Sequence, residues 1–533
     1  MFYSVLYPTK EQHDQLRHTE APLVFRDLNF DLMFESIISS NQGYDLAGLY
    51  YTPLHDPETI RYRQAVMRDF EDEDIRLAFT GFSTAVHSVG SLMNEILFSR
   101  RPTVPIRKRL FPSRRPSDHW SGNYAKKGQM LDCADRYCQA VIHLHDSLIG
   151  LSPDSTGLRE FTRYLSDYCA SIGFTELCSY IKALREELSK VEYCMLIKDG
   201  SIRVREYGGQ ADYSREIIAL FDKFRQGDVR DYRHKLPEAP HAMHVEAAVL
   251  RLVANYYKEV FGRLDSFCAE YHQFIDSLIF RVSDEVRFYL SWLDYIAPLK
   301  EEGLPFCYPK LCEDAAHLHC IEGFDIVLAG VKGRDTVTND FTLDAPECVI
   351  AITGPNQGGK TTFARSIGQL HYLANLGLCV PGREAAVYLC DDIFTHFSRE
   401  EDITAQVGKL MDDLLRLREV YDNASKRSII IINEIFSSTT LSDALHLSNQ
   451  MMDIFSERSA LFIIVTFIDE IASRGPETVS MMSTVKADDL MERTYKIVRK
   501  PPDKLAYAID LAGSRGLTYD QICGRLGSGR LDE

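Results

Sequence analysis

The sequence predicts two structural parts: an α/β domain with a parallel sheet after about residue 305, and a mainly α-helical region before it. Three observations lead to this division. A glycine-rich motif at 354–362 follows the apolar run 348–352 and precedes a helical run. Further apolar runs at 428–432 and 461–465 have the length and composition of buried parallel strands. Before the boundary, apolar residues recur mainly at helical spacing.

The glycine-rich motif fits the phosphate-loop pattern of a glycine, four residues and then Gly-Lys-Ser/Thr. In such a loop, backbone N–H groups and the helix dipole face the phosphates of a nucleotide. We expect Lys360 to reach the β- and γ-phosphates of ATP, and the Thr361 hydroxyl to hold Mg²⁺. A glycine-rich turn that matches by chance is the alternative, which the flanking strand and helix disfavour. The motif comprises Gly354, Pro355, Asn356, Gln357, Gly358, Gly359, Lys360, Thr361 and Thr362.

Length and composition set limits on the class of protein. A chain of 533 residues with 45% hydrophobic content is expected to form two to four domains with ordinary cores. No apolar run is long enough to span a bilayer, the N-terminus shows no secretory signal, and the 13 cysteines include no CxxC pair. These features predict a cytoplasmic protein with reduced thiols. The net charge of -17 argues against wholesale coating of nucleic acid but allows a local basic groove.

The helical region is expected to contain several elements in order. Helices separated by a proline-marked turn are predicted at 25–70, and the acidic residues 71–74 suit the start of another helix. Apolar spacing predicts a helix from Leu131 onward, and one or two long helices at 243–297. Strand-like runs on either side of Asp199-Gly200 predict a β-hairpin. The residues expected on the helical faces are Leu131, Ala134, Cys138, Val141, Leu144, Leu148, Leu264, Phe267, Tyr271, Phe274, Leu278 and Val282.

The proposed boundaries follow from these elements. Pro298, Gly303 and Pro305 are expected to end the helical region. The predicted division is a core-like N-terminal region at 1–95, a lever- or clamp-like helical region at 96–305, and the α/β domain at 306–533.

A basic segment lies between residues 100 and 115, among three prolines and without an intervening acid. It includes Arg107, Lys108 and Arg109. Clustered Lys and Arg can neutralise the phosphate backbone of nucleic acid. A solvated loop between helices is an equally good interpretation, because basic runs are not specific.

Cysteine and histidine residues at 307–320 could suggest a zinc site. They are Cys307, Cys312, His317, His319 and Cys320. Their spacing lacks the paired short knuckles of a structural zinc site, so the sequence disfavours this interpretation.

The run 428–432 leads directly into Asn433 and Glu434. In a doubly wound sheet, ligands bind at the carboxyl ends of the strands. An acid at this place can polarise the water that attacks the γ-phosphate, so Glu434 is the candidate catalytic base. The alternative is a surface acid that happens to follow a buried strand.

Taken together, several segments resemble the MutS family. Residues 353–362 are similar to its nucleotide loop, TGPNMGGKST, whose Pro-Asn and double glycine are more specific than a generic phosphate loop. Residues 394–398 resemble its FTRIG segment, and 466–471 its ATHxxEL segment. Asn433-Glu434-Ile435, with Thr439, Thr440 and Asp443, resembles DEIGRGTSTxDG. The resemblance is strong over about 320–525 and weaker but collinear over about 25–300.

This resemblance implies an ABC-type ATPase domain that is preceded by a helical core and lever arms. It further implies a homodimer in which each ATP site takes its phosphate loop from one subunit and a signature segment from the other. Gly408 and Lys409 stand in the signature segment of this sequence, and Lys409 could supply positive charge to the γ-phosphate across the dimer. An ordinary exposed helical lysine is the alternative. Such dimers clamp DNA in a manner that depends on ATP.

The sequence departs from the family at several positions. We find no counterpart of the N-terminal mismatch-reading domain, so a short form without classical mismatch recognition is expected. Asn433 stands where the family has a metal-polarising Asp, which weakens the support for Mg²⁺. Phe467 stands where the family has a histidine, and it cannot hydrogen-bond a phosphate.

The expected function is therefore that of a cytoplasmic, ATP-dependent DNA-binding dimer that hydrolyses ATP slowly and acts in DNA repair or recombination. Two alternatives remain open. The first is an ATP-switched binding module that barely hydrolyses, which Asn433 and Phe467 favour. The second is an ATPase clamp that acts on a protein partner, which the net charge of -17 favours.

Overall fold

The computed structural model describes residues 2–13, 20–97, 123–199, 201–210, 242–312, 315, 317–397, 408–486, 493–502 and 517–528. The chain divides into two compact units. One unit comprises residues 1–2, 72–153 and 158–286, and the other comprises 3–71, 154–157 and 287–533. The predicted boundaries at 95 and 305 divide the chain differently, since they place residues 3–71 apart from the α/β domain.

Helices occupy most of the described residues before the sheets of the α/β architecture, including the stretches predicted at 25–70, from 71 and from Leu131. They are α1 (Lys10–His13), α2 (Val24–Leu28), α3 (Phe30–Ser40), α4 (Ala47–Tyr50), α5 (Pro57–Asp69), α6 (Glu73–Leu97), α7 (Tyr124–Leu151), α8 (Thr156–Ala170), α9 (Ile172–Ser189), α10 (Ala242–Tyr256), α11 (Lys258–Glu270) and α12 (Ser277–Glu301).

The helical unit buries the apolar faces that the spacing predicts. All six residues predicted for the face of α7, from Leu131 to Leu148, are buried, as are Leu264 and Phe267 on α11. The predicted hairpin is also present: β1 (Tyr193–Lys198) pairs antiparallel with β2 (Ser201–Glu206). Asp199 adopts a φ of 49° in the turn, a conformation that Asp tolerates better than most residues.

The prediction of one or two helices at 243–297 is wrong in number, because three helices occupy this stretch. The second break precedes α12, where the Asp276 carboxylate accepts hydrogen bonds of 2.9 Å from the backbone N–H groups of Leu278 and Ile279. This cap satisfies N–H groups at the start of a helix, and so favours a new helix over continuation of α11. Phe274 is buried in the connection rather than on a helical face.

Pro298 does not end α12, which continues to Glu301. The chain leaves the helix at Gly303, two residues beyond Glu301. Gly303 has a left-handed φ of 91°, and its N–H donates to the Lys300 carbonyl at 3.0 Å. Glycine reaches this conformation without the steric cost of a side chain.

The second unit contains the α/β architecture. Its strands are β3 (Phe306–Cys307), β4 (Lys310–Cys312), β5 (His317–Gly323), β6 (Asn339–Asp344), β7 (Val349–Thr353), β8 (Val380–Pro381), β9 (Glu384–Tyr388), β10 (Ile393–Phe397), β11 (Ile429–Asn433), β12 (Leu461–Val465), β13 (Thr478–Val485) and β14 (Arg493–Arg499). Its helices after α12 are α13 (Ile326–Lys332), α14 (Lys360–Asn375), α15 (Lys409–Asn423), α16 (Leu441–Arg458) and α17 (Tyr519–Ser528).

The central sheet has six strands in the order β10-β11-β12-β7-β13-β14. Neighbouring strands are parallel from β10 to β13, and only β14 runs antiparallel to its neighbour. The strands β7, β11 and β12 are buried at every residue, as predicted for continuous apolar runs. A second sheet has the order β4-β9-β5-β6. The predicted mixed α/β fold with a helical N-terminal part is confirmed.

The N-terminal helices belong to this unit because they are bonded to α14. Arg63 is fully buried, and its guanidinium donates to the Leu376 carbonyl at 3.0 Å, just beyond the end of α14. Along α14, Arg365 donates to the Asp27 carbonyl at 3.0 Å. Such bonds join residues more than 300 positions apart in sequence, so chain order did not predict them. Within the described ranges, no helix has both the length and the apolar character needed to cross a membrane.

Candidate nucleotide-binding site

The glycine-rich loop joins β7 to α14, and α14 begins at Lys360. Gly354 and Gly359 have φ values of 113° and 89°, which L side chains rarely adopt. A Cβ on Gly354 would lie 2.9 Å from the Ser483 carbonyl oxygen, and a Cβ on Gly358 would collide with the Ser483 hydroxyl. The glycines therefore bring the backbone close to β13 and leave the helix N-terminus open as an anion cradle.

Lys360 is buried beneath this loop, with 5% of its side chain exposed. Its Nζ donates to the carbonyl oxygens of Gly354 at 3.0 Å and Pro355 at 3.1 Å. Burial lowers the pKa of Lys360, while the neighbouring Glu434 carboxylate, whose Oε1 is 3.9 Å from Nζ, opposes that shift. The ammonium group is thus held beneath the loop by carbonyl partners that an anion could replace.

Thr361 and Asn433 meet beside the lysine. The Thr361 hydroxyl donates a 2.8 Å hydrogen bond to Asn433 Oδ1. Asn433 is the last residue of β11 and is 8% exposed, so the sheet holds its amide next to the first turn of α14. Hydroxyl and amide oxygens are ligands of the type that Mg²⁺ accepts.

Glu434 follows Asn433, and it lines the same cavity as Lys360 and Thr361. Its backbone N–H donates to the Val465 carbonyl at 2.9 Å, and 43% of its side chain is exposed. Its φ of 51° lies in the left-handed region, which is uncommon for a residue other than glycine. A residue whose backbone is strained and whose carboxylate opens onto a cavity is a candidate catalytic residue.

Lys360, Thr361 and Glu434 border a cavity of about 350 Å³, which is in the range of small-molecule sites. Asn433 does not line this cavity and is linked to it through its hydrogen bond to Thr361. Gln357 to Thr362 and Glu434 form a wall of residues that the sequence predicted, and Phe363 adjoins them; the predicted Gly354, Pro355 and Asn356 do not line the cavity. The opposite wall comprises Gly323, Phe324, Asp325, Leu328, Lys332, Asp335, Val337, Asn339 and Tyr495, and Ser366 of α14 also lines the cavity.

The opposite wall was not predicted from sequence. Lys332 lies over the Tyr495 ring, with Nζ 5.3 Å from the ring centroid, and Asn339 donates to the Tyr495 carbonyl at 3.2 Å. Neither α13 nor β14 carries a recognisable motif. Only the folding of residues 323–339 and β14 against the loop brings them together.

Other predicted residues lie elsewhere or outside the described residues. Phe467 is 51% exposed and does not line the cavity. Gly408 precedes the first residue of α15, which is Lys409. The side chain of Lys409 and the segment with Arg107, Lys108 and Arg109 lie outside the part of the chain that the structure describes.

The residues present fit a nucleoside triphosphate with Mg²⁺. Gly354 and Gly358 leave no room for a side chain next to Ser483, and the ammonium group of Lys360 is buried beneath the loop. The paired oxygens of Thr361 and Asn433 lie at the start of α14, where a cation bound to phosphate would be placed. In the described part of the chain, His, Cys, Asp and Glu side chains form no cluster of three or more that could hold a metal, at the 307–320 cysteines and histidines or elsewhere.

Comparison with known proteins gives a consistent result. Residues 350–519 match the family model MutS domain V. The match begins within β7 and includes the glycine-rich loop, Asn433 and Glu434.

Among curated relatives, the chain is 28% identical over 260 residues to the DNA mismatch repair protein MutS of Listeria monocytogenes serotype 4b (strain CLIP80459), covering 48% of this chain and 29% of that protein. It is 29% identical over 243 residues to the protein of the same name from Aquifex pyrophilus, covering 44% and 27%. It is 26% identical over 350 residues to that of Clostridium novyi (strain NT), covering 63% and 36%. The chain thus matches about a third of the length of these relatives.

Proposed function

We propose that this chain, which belongs to the MutS family, is an ATP-dependent DNA-binding protein that hydrolyses ATP to switch a dimeric clamp in DNA repair or recombination. The observation that carries this proposal is that Lys360, Thr361 and Glu434 line one cavity at the head of α14, where Asn433 is hydrogen-bonded to Thr361. Those groups come from two separate strand ends of the parallel sheet, where α/β proteins bind their ligands.

In the proposed reaction, Lys360 and the loop N–H groups hold the phosphates and stabilise the charge that develops on them. Thr361 and Asn433 would hold Mg²⁺, which supplies charge neutralisation of the phosphates when bound. Glu434 orients a water molecule and accepts its proton as the water oxygen attacks the γ-phosphorus in line. The bond from the γ-phosphorus to the bridging oxygen breaks, and ADP leaves with the electron pair of that bond. A second copy of the chain would add Gly408 and Lys409 to complete the site.

The test of hydrolysis is steady-state ATP turnover by the purified protein. Homoduplex, mismatched, branched and single-stranded DNA should each be added at fixed salt, because affinity for DNA depends strongly on salt. We expect one DNA form to stimulate or suppress turnover. Turnover that is the same with every DNA would contradict the coupling between ATP and DNA.

Glu434→Ala separates hydrolysis from binding. We expect the variant to bind ATP normally and to lose turnover by about 10²- to 10⁴-fold, the usual contribution of a general base. Lys426→Ala, at an exposed site outside the cavity, is the control. Unchanged turnover in Glu434→Ala would remove Glu434 from the mechanism.

A second candidate function is an ATP-driven clamp for a protein partner, which the net charge of -17 favours. A third is a switch that binds ATP and hydrolyses it hardly at all, since Asn433 lacks the charge of a carboxylate. Single-turnover kinetics distinguish the switch, because bound ATP would then survive for hours.

A further inference from the structure

The segment after Glu434 has an unusual backbone. Phe436 has a φ of 61°, and Glu434, two residues earlier, has a φ of 51°. For a bulky residue the left-handed region is a steric outlier that persists only where the surroundings enforce it. The family segment DEIGRGTSTxDG has glycine at the position of Phe436, so this chain carries a phenyl ring where the motif carries no side chain.

The ring of Phe436 is held in the core of the α/β unit. Phe436 is 1% exposed and Ile435 is 5% exposed, and both belong to one cluster with residues of the central sheet and of α16. Ile432, Ile464, Met451 and Phe455 are members of that cluster. Burial of the ring opposes the strain, because release of the turn would expose a large apolar surface.

Two backbone bonds tie this segment on either side of the ring. The Glu434 N–H donates to the Val465 carbonyl at 2.9 Å, and the Thr439 N–H donates to the Phe436 carbonyl at 3.4 Å. Between them, the side chain of Phe436 points into the core while that of Glu434 lines the cavity. The position of the carboxylate, 3.9 Å from Lys360 Nζ, therefore depends on how firmly the turn is anchored.

The phosphate cradle is formed by segments other than the one that holds Glu434 and Phe436. Its glycines, Lys360 and Thr361 belong to β7, α14 and the loop between them, and none of them belongs to the segment 434–439. Loosening that segment should therefore displace Glu434 and leave the cradle in place.

We propose that Phe436 is a positioning residue, whose buried ring locks the left-handed turn that aims Glu434 into the nucleotide cavity. The proposal rests on the proposed ATPase function, and it assigns to Phe436 a role in turnover but not in nucleotide binding.

Three substitutions separate the ring from the backbone. Phe436→Leu keeps an apolar anchor in the strained turn, Phe436→Ala keeps the strain without the anchor, and Phe436→Gly removes both. We expect Phe436→Leu to retain kcat within about threefold, and the other two to lose kcat by about ten- to a hundredfold, as for a misplaced catalytic group. The Kd for a fluorescent ATP analogue should change by less than about twofold in all three, since ground-state binding is separate from the transition-state interaction.

Phe455→Ala is the matched control, because Phe455 is 3% exposed in the same cluster but lies on α16, away from the cavity. It should lower the thermal midpoint about as much as Phe436→Ala does and should retain kcat at a temperature where both proteins are folded. If Phe455→Ala lost as much kcat as Phe436→Ala, the loss would reflect the stability of the cluster and not the position of Phe436, which would contradict the proposal.

Retained turnover in Phe436→Gly would overturn the proposal, because a permissive backbone without the ring would then be enough to position Glu434. A wild-type protein that shows no turnover sensitive to Glu434→Ala would overturn the proposed function as well. Wild-type turnover that is lost in Glu434→Ala but unchanged in Phe436→Ala would overturn only the role of Phe436.

Discussion

Thr361 Oγ1 donates a 2.8 Å hydrogen bond to Asn433 Oδ1, so the first turn of α14 and the end of β11 are joined at the proposed nucleotide site. An amide oxygen can accept this bond as well as a carboxylate can. The amide carries no negative charge, however. The Thr361–Asn433 pair would therefore attract a divalent cation less strongly than a pair of threonine and a carboxylate would.

Asn433→Asp should strengthen the response to Mg²⁺ because it adds a charge at an oxygen already in place. We expect the Mg²⁺ concentration for half-maximal ATP turnover to fall by about tenfold, a usual effect of residues that support metal ligands. A Mg²⁺ titration of turnover measures this. Asn423→Asp, at the exposed end of α15, is the control and should leave the titration unchanged. If Asn433→Asp needed the same Mg²⁺ concentration as the wild-type protein, residue 433 would have no role in supporting the cation.

Gly354→Ala should damage the phosphate cradle. The new Cβ would approach the Ser483 carbonyl to 2.9 Å at a φ of 113°, so the loop would have to move. We expect at least a tenfold loss of ATP affinity, about 1.4 kcal/mol, measured by titration with a fluorescent nucleotide.

Gly81→Ala is the control for Gly354→Ala. Gly81 lies in α6 with nothing within 4 Å of its added Cβ, and Ala is favoured over Gly inside a helix by about 0.5–1 kcal/mol. This variant should be slightly more stable and should bind ATP normally. Equal nucleotide affinity in both variants would contradict the assigned role of the loop.

Arg63→Ala should destabilise the α/β unit strongly. The guanidinium is fully buried, donates to the carbonyls of Leu6 and Leu376, and lies 4.8 Å from the centroid of the Tyr7 ring. Its removal leaves a cavity and two buried carbonyls without this donor, for which we expect a loss of about 3–5 kcal/mol in the free energy of unfolding. Urea denaturation measures the loss, and Arg61→Ala, at an exposed position on α5, should cost less than about 0.5 kcal/mol. Similar losses in both would show that Arg63 contributes nothing beyond an ordinary helical residue.

Reversal of charge at Arg107, Lys108 and Arg109 tests whether this segment contacts DNA. If all three contact phosphates, their replacement by Glu should weaken binding to every sequence and reduce the slope of log affinity against log salt by about 3. Fluorescence anisotropy at several salt concentrations measures both quantities. Reversal at Lys426 and Arg427 provides a comparison of similar chemistry on the α/β unit. An unchanged salt slope would exclude the 107–109 segment as the DNA contact.

The sequence by itself determined those features that local patterns encode. The glycine-rich loop between β7 and α14, the buried strands β7, β11 and β12, the hairpin and the apolar face of α7 each depend on residues close together in the chain. The departures at Asn433 and Phe467 were also visible without coordinates. The separation of α11 from α12 was missed because a single capping residue, Asp276, outweighed the continuing apolar period.

Tertiary structure alone decided which distant segments share the site. The cavity wall formed by residues 323–339 and Tyr495, the burial of Arg63 at the end of α14, and the anchoring of Phe436 all join parts of the chain without a common motif. These relationships come from side-chain packing and backbone bonds between remote segments. Because such contacts depend on where each segment lies in space, periodicity and local spacing carry no information about them.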